Sequence, residues 1–152
     1  MEAQLAFLSL LDAGVLERHP RLRVAFLEAG ASWVPHWLWR LDEICYATMP
    51  GENARNVTIP PSRYFARQCW VGIELGEPCL RQVIDLVGAD RLLYGTDFPH
   101  PDHLSDVESA SPGESSGEAP RPEHGRSSAD LTERERDLVF RDNAHAFFEG
   151  AR

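Results

Sequence analysis

Arg91-Leu92-Leu93-Tyr94-Gly95-Thr96-Asp97-Phe98-Pro99-His100-Pro101 is the stretch on which the fold turns. Leu92, Leu93 and Tyr94 make a short apolar run that stops at Gly95, and Asp97 follows almost at once. A helix-patterned segment comes immediately before. That combination reads as a buried parallel strand. Side chains at the carboxyl ends of such strands point into the crevice where ligands bind. Asp97 is therefore the first residue expected to carry chemistry.

Upstream of this strand, Pro78 opens a helix in which Leu80, Val83, Ile84 and Val87 recur at helical spacing, and Gly88 supplies its C-terminal cap. Before that helix, Gln68 to Leu75 contains the apolar run Cys69-Trp70-Val71-Gly72-Ile73 and again ends in an acid, Glu74. Leu22 to Leu27 is a third apolar strand and runs into Glu28, Ala29 and Gly30. Ser32 is placed to cap a helix with Val34, Trp37, Leu38, Leu41 and Cys45 on one stripe, Pro35 being tolerated in its first turn. The apolar residues Leu5, Leu8, Leu11, Val15 and Leu16 mark a helix over Glu2 to Arg18, which His19-Pro20 stops. It starts at Met1 without a cap or a preceding strand, as if an N-terminal part were missing. Pro50 to Arg63, rich in Pro, Asn and Gly, reads as a loop. The alternation of helix and strand is that of an α/β protein with a parallel sheet and crossover helices.

Downstream the character changes. Ser105 to Ala129 holds seven Ser, three Pro and three Gly in 25 residues, with Val107 its sole large aliphatic. Such a segment buries too little surface to offset its ordering entropy, and reads as a disordered insertion or spacer. Thr132 and Glu135 then form a capping-box start for a last helix running through Leu138, Val139, Phe140, Phe147 and Phe148 to Gly150. The chain thus divides into residues 1–104, the insertion 105–129, and a final helical segment 130–152.

Composition narrows the function. At 152 residues the chain is of single-domain size and too short for a complete (β/α)8 barrel of about 250 residues. The net charge of -9 disfavours a nucleic-acid partner, which would require clustered Lys and Arg. Cys45, Cys69 and Cys79 are odd in number, lie in apolar segments and lack CxxC spacing, which fits reduced, buried thiols. No apolar run approaches the roughly 18 residues of a membrane span, and no basic leader precedes one. The expectation is a soluble cytoplasmic protein with no membrane partner. A Gly-x-Ser-x-Gly elbow and a phosphate-cradling Gly-rich loop are both missing from the sequence, so nucleophilic-triad and nucleotide chemistry are set aside.

Among the remaining polar and aromatic residues, Glu28 and Glu74 at strand ends either face the crevice or pair with a neighbouring Arg. Trp37 falls on an apolar stripe and reads as core, whereas Trp33, at the start of its helix, is placed to border a substrate. The His100, Asp102 and His103 cluster reads as solvated rather than as a separate metal site, and His145 as structural or exposed.

Three segments together resemble a known family. His19-Pro20-Arg21-Leu22-Arg23-Val24-Ala25-Phe26-Leu27-Glu28-Ala29-Gly30, Gly88 through Pro101, and Asp142-Asn143-Ala144 are similar to the C-terminal part of the amidohydrolase-related metal-dependent enzymes. The branch they resemble most contains aminocarboxymuconate-semialdehyde decarboxylase. The resemblance implies a partial (β/α)8 TIM barrel, from the helix after strand 5 through strand 8 and its helix. It places Asp97 on the strand-8 aspartate that binds the metal and handles a proton of the attacking water or the substrate, with His100 on the loop above it as a substrate contact. Glu28 takes the strand-6 end, where the decarboxylase has a His, and is the second catalytic candidate.

The same resemblance assigns the remaining metal ligands, a His-x-His pair and a further His, to strands that precede Met1 in this register. A divalent metal, zinc for choice, is implied if those ligands are supplied, and otherwise none. The implied activity is a carboxy-lyase reaction on a small carboxylated substrate. The alternatives are hydrolysis of a C–N or C–O bond by the same apparatus, and a non-catalytic remnant or interaction module. A homodimer or a missing N-terminal half is the implied companion, since an open fragment leaves two strand edges uncovered.

Overall fold

The computed structural model describes residues 1–48, 51, 55–74, 77–96 and 131–149. Asp97, His100, Asp102, His103 and the insertion 105–129 lie outside the described residues.

Three parallel strands form the centre: β1 (Val24–Phe26), β2 (Cys69–Ile73) and β3 (Leu92–Tyr94), in spatial order β1-β2-β3. Val24 stands opposite Cys69, Ala25 opposite Trp70, and Val71 opposite Leu92. The parallel α/β reading holds, although β1 is shorter than Leu22 to Leu27. The strand stops because Glu28 turns the backbone away at φ +56°, and Leu27 beside it is exposed.

The period-two alternation gives each strand two different faces. Phe26, Val71 and Leu92 join the buried core against the helices. Phe26 is its aromatic hub, with Phe7 6.0 Å and Phe65 6.5 Å from its ring centre, and Trp33 edge-on at 5.8 Å. Each such pair adds about 0.5–1.5 kcal/mol beyond area burial. The other face carries Ala25, Leu27, Gly72 and Leu93.

The N-terminal helix is not continuous. α1 (Glu2–Asp12) ends at Gly14, which adopts φ +67°, and α2 (Val15–Arg18) restarts beyond it. At φ +67° a side chain at position 14 would be strained whatever the space around it, so the break favours glycine. α3 (Trp33–Arg40) passes into a wider π turn at Leu41–Cys45. Val34, Leu38 and Leu41 are buried as the stripe predicts, and Trp37 packs partly buried against the core.

The loop expected over Pro50 to Arg63 ends early, because Pro61 opens α4 (Pro61–Gln68). Tyr64, Phe65 and Gln68 of α4 are buried. The sequence reading missed this helix because its core-facing set is short and set among Arg residues. Pro at the first helical position was the available signal.

α5 (Leu80–Val87) buries Leu80, Val83 and Ile84, and Gly88 ends it at φ +99°. α6 (Glu133–Asp137) starts with the expected capping box between Thr132 and Glu135. A second π turn, Leu138–Asp142, separates it from α7 (Asn143–Glu149), so the last helix too is interrupted. The expectation of three buried thiols fails in part: Cys69 is buried, Cys45 intermediate and Cys79 exposed, because Cys79 sits in the turn before α5. Burial raises the Cys69 thiol to about 12. Among the described residues, no helix is long and apolar enough to cross a membrane.

Candidate functional site

The second sheet face borders a hollow of about 660 Å³ lined by Ala25, Leu27, Glu28, Gly72, Glu74 and Leu93, with further residues of α7. Its size has a local cause. Ala25 and Gly72 project almost nothing from the middle of the sheet, where larger side chains would fill the space.

α7 closes the end of the hollow at the strand starts. Asn143, 4% exposed, donates from Nδ2 to the carbonyls of Ala89 (2.7 Å) and Leu92 (2.8 Å). Arg23 donates from Nη1 to the carbonyls of Ala146 and Phe147. The helix therefore runs beneath the strands from β3 to β1. Phe147 meets Trp70 edge-on at 5.3 Å, and Arg91 stacks over the same indole at 4.7 Å.

At the opposite end, the carboxyl ends of the strands, the structure brings together two sequence-predicted acids. Glu28 and Glu74 both line the hollow and both are exposed. Gly95, two positions before Asp97, lines it as well. Glu28 is the sole non-glycine among the described residues with positive φ. Trp33 is not part of the lining. Its ring packs on Phe26 in the helix layer, and its Nε1 donates to the Gly30 carbonyl at 2.9 Å, which ties it to the turn that carries Glu28.

One acid was not singled out from the sequence. Glu77 is buried, 8% exposed, and its carboxylate accepts from Ala31 N–H (2.9 Å), Ser32 N–H (2.8 Å), Glu74 N–H (2.9 Å) and the Ser32 hydroxyl. Ser32 precedes α3 as expected, but its side chain makes no bond to its own helix. Glu77 does the capping from the loop after the neighbouring strand β2. Gly30 makes room for it: at φ +58°, a Cβ there would come within 3.1 Å of the Glu77 carboxyl carbon. The nearest sequence signal was the Glu-Ala-Gly strand end, whose glycine is now explained.

His145 is exposed on α7, near Glu149. Among the described residues, no group of three His, Cys, Asp or Glu side chains is arranged to hold a metal ion. The described residues alone do not fit a divalent metal.

A parallel sheet with crossover helices, a hollow on one face and acids at the carboxyl strand ends is the architecture of part of a (β/α)8 barrel. Known proteins agree. The amidohydrolase family model matches residues 1–150, and the chain belongs to that family. It is 32% identical over 135 residues to gamma-resorcylate decarboxylase of Rhizobium sp. (strain MTP-10005), covering 80% of this chain and 37% of the relative. It is 31% identical over 101 residues to 2-amino-3-carboxymuconate-6-semialdehyde decarboxylase of Dictyostelium discoideum, covering 66% and 27%. Among solved structures, dihydroxybenzoic acid decarboxylase of Polaromonas sp. JS666, with bound manganese and the inhibitor 2-nitroresorcinol, superposes with a TM-score of 0.65 at 20% identity, over 98% of this chain and 40% of that one. The chain thus spans about a quarter to two fifths of these proteins.

Proposed function

We propose that this chain supplies the strand-6 to strand-8 side of a decarboxylase active site, acting on a small carboxylated aromatic substrate. The observation that carries the reading is that Glu28 and Glu74, both at carboxyl strand ends, line the same hollow. The named relatives, both decarboxylases, supply the reaction class.

In decarboxylation the bond from ring carbon to carboxylate breaks, CO2 leaves, and a proton takes its place on that carbon. A carboxyl group at the mouth of the hollow is suited to hold that proton. In this reading Asp97 is the metal ligand and proton carrier, Glu28 the second catalytic acid and His100 the substrate contact. Trp33, expected from the sequence to border the substrate, instead braces the turn that carries Glu28 through its bond to the Gly30 carbonyl. A divalent ion belongs to the reading through Asp97, with zinc the preferred ion; the manganese bound by the Polaromonas protein supports the class of ion. The companion is an N-terminal half or a second copy, the compartment cytoplasmic, and the 105–129 segment a spacer.

The test is disappearance of 2,6-dihydroxybenzoate and release of CO2 on incubation with the protein and zinc or manganese, before and after joining the chain to the N-terminal half of a family member. Turnover that falls at least 100-fold in Asp97→Asn is the expected result. Undiminished turnover and metal content in that variant would remove Asp97 from the site. Cleavage of an amide or ester in place of CO2 release would move the chain to the hydrolase side of its family.

A further inference from the structure

Glu77 stands apart from the acids at the mouth of the hollow. Its carboxylate is buried and faces backbone donors on two separate loops. One loop, from Leu27 to Ser32, carries Glu28; the other follows β2 and carries Glu74. The second loop is bound in both directions, since Glu77 N–H also donates to the Glu74 carbonyl at 3.1 Å.

The first loop needs an external hold. Glu28 and Gly30 both take left-handed φ values, +56° and +58°, and a non-glycine residue pays a steric penalty there. A chain left to itself would relax Glu28 to an extended or right-handed conformation and swing its side chain elsewhere. The loop is fixed at its far end by the Ala31 and Ser32 N–H groups, which also open α3. A negative charge at a helix start is favoured there, and charge-assisted hydrogen bonds are stronger than neutral ones.

We propose that Glu77 is a positioning residue for the acids of the site. A third carboxylate, buried and not part of the hollow's lining, sets where Glu28 and Glu74 stand and holds Glu28 in its left-handed turn. This rests on the reading of Glu28 as a site acid. Glutamine cannot replace it in kind: one oxygen becomes an NH2 donor aimed at other donors.

The test uses the isotope-labelled chain and NMR. In Glu77→Gln, the Cα and Cβ shifts of Glu28 should lose their left-handed signature, and the amides of Ala31, Ser32 and Glu74 should exchange at least tenfold faster. Val71 and Leu92, in the sheet, should stay within about twofold. In Glu77→Ala, added formate should fill the vacated position and restore the Glu28 shifts, with no effect on the wild type. If neither variant folds, Ser32→Ala, which removes a single donor, should still speed Ala31 and Glu74 about threefold. Retention of the Glu28 signature in all folded variants would overturn the proposal. So would acceleration of Val71 and Leu92 equal to that of the loop amides, which marks a role in general stability. None of these readouts needs turnover, so a protein that stays inert towards 2,6-dihydroxybenzoate even when joined to an N-terminal half would overturn the substrate assignment and leave the clamp standing.

Discussion

At φ +56° the Cβ of Glu28 crowds its neighbouring carbonyl, at a cost of about 1–2 kcal/mol for a non-glycine residue. Glycine removes that strain but adds freedom to the unfolded chain, a loss of about 0.5–1 kcal/mol. Glu28→Gly should therefore leave the chain unchanged or more stable by up to about 1 kcal/mol in urea unfolding, while turnover falls. A clear destabilisation would mean that the Glu28 side chain supports the fold rather than the site. The position of Glu28 was readable from the sequence, because an apolar run stopped by an acid is a local pattern. Its backbone conformation was not, since glutamate has no preference for the left-handed region. Glu77 was invisible for a related reason. The partners that matter most, the Ser32 and Ala31 N–H groups, lie 45 and 46 residues away, and no side-chain pattern records them.

Helix starts show where local rules suffice. Thr132 and Glu135 are three residues apart, so their capping box could be read directly, and the structure contains it. α3 and α4 are capped from a distance, α3 by Glu77 and α4 by Asp42, whose Oδ1 accepts from Ser62 N–H at 2.9 Å. A rule that looks only at the residue before the helix overassigns Ser32 and passes over α4. The local cap at Glu135 is also tied to α5, through hydrogen bonds of 2.8 and 3.0 Å from Arg81. First Arg81 and then the Thr132 backbone N–H hold the Glu135 carboxyl at about 2, below its usual 4.5. A depressed carboxyl stabilises the fold above its unfolded pKa and stops doing so as pH falls through the folded value. Glu135→Gln should cost about 1–2 kcal/mol near neutrality, and the gap from wild type should narrow between pH 4.5 and 2. A gap that stays constant across that window would show that the contact is not ionic.

For the molecule as a whole, the parallel sheet with crossover helices followed from the alternation of helical stripes and short apolar runs. What sealed the inner face at the strand starts did not. Asn143 entered the sequence reading only as part of a motif shared with a family, yet it joins α7 to the start of β3 from a buried position. Asn143→Ala should cost about 2–3 kcal/mol, because it withdraws two hydrogen bonds from buried carbonyls. The loss should appear in global unfolding, and a change below about 0.5 kcal/mol would show that α7 is held by its aromatic contacts alone. The matching link at the other end, from Arg23 to the carbonyls of Ala146 and Phe147, spans 123 and 124 residues of sequence. Ribosomes add about 5–20 residues per second, so Arg23 is synthesised on the order of ten seconds before its partner exists. From their own synthesis until α7 is made, Trp70 and Leu93 have no helix to cover them. The newborn chain should be a client for chaperones that hold exposed apolar surface until synthesis is nearly complete.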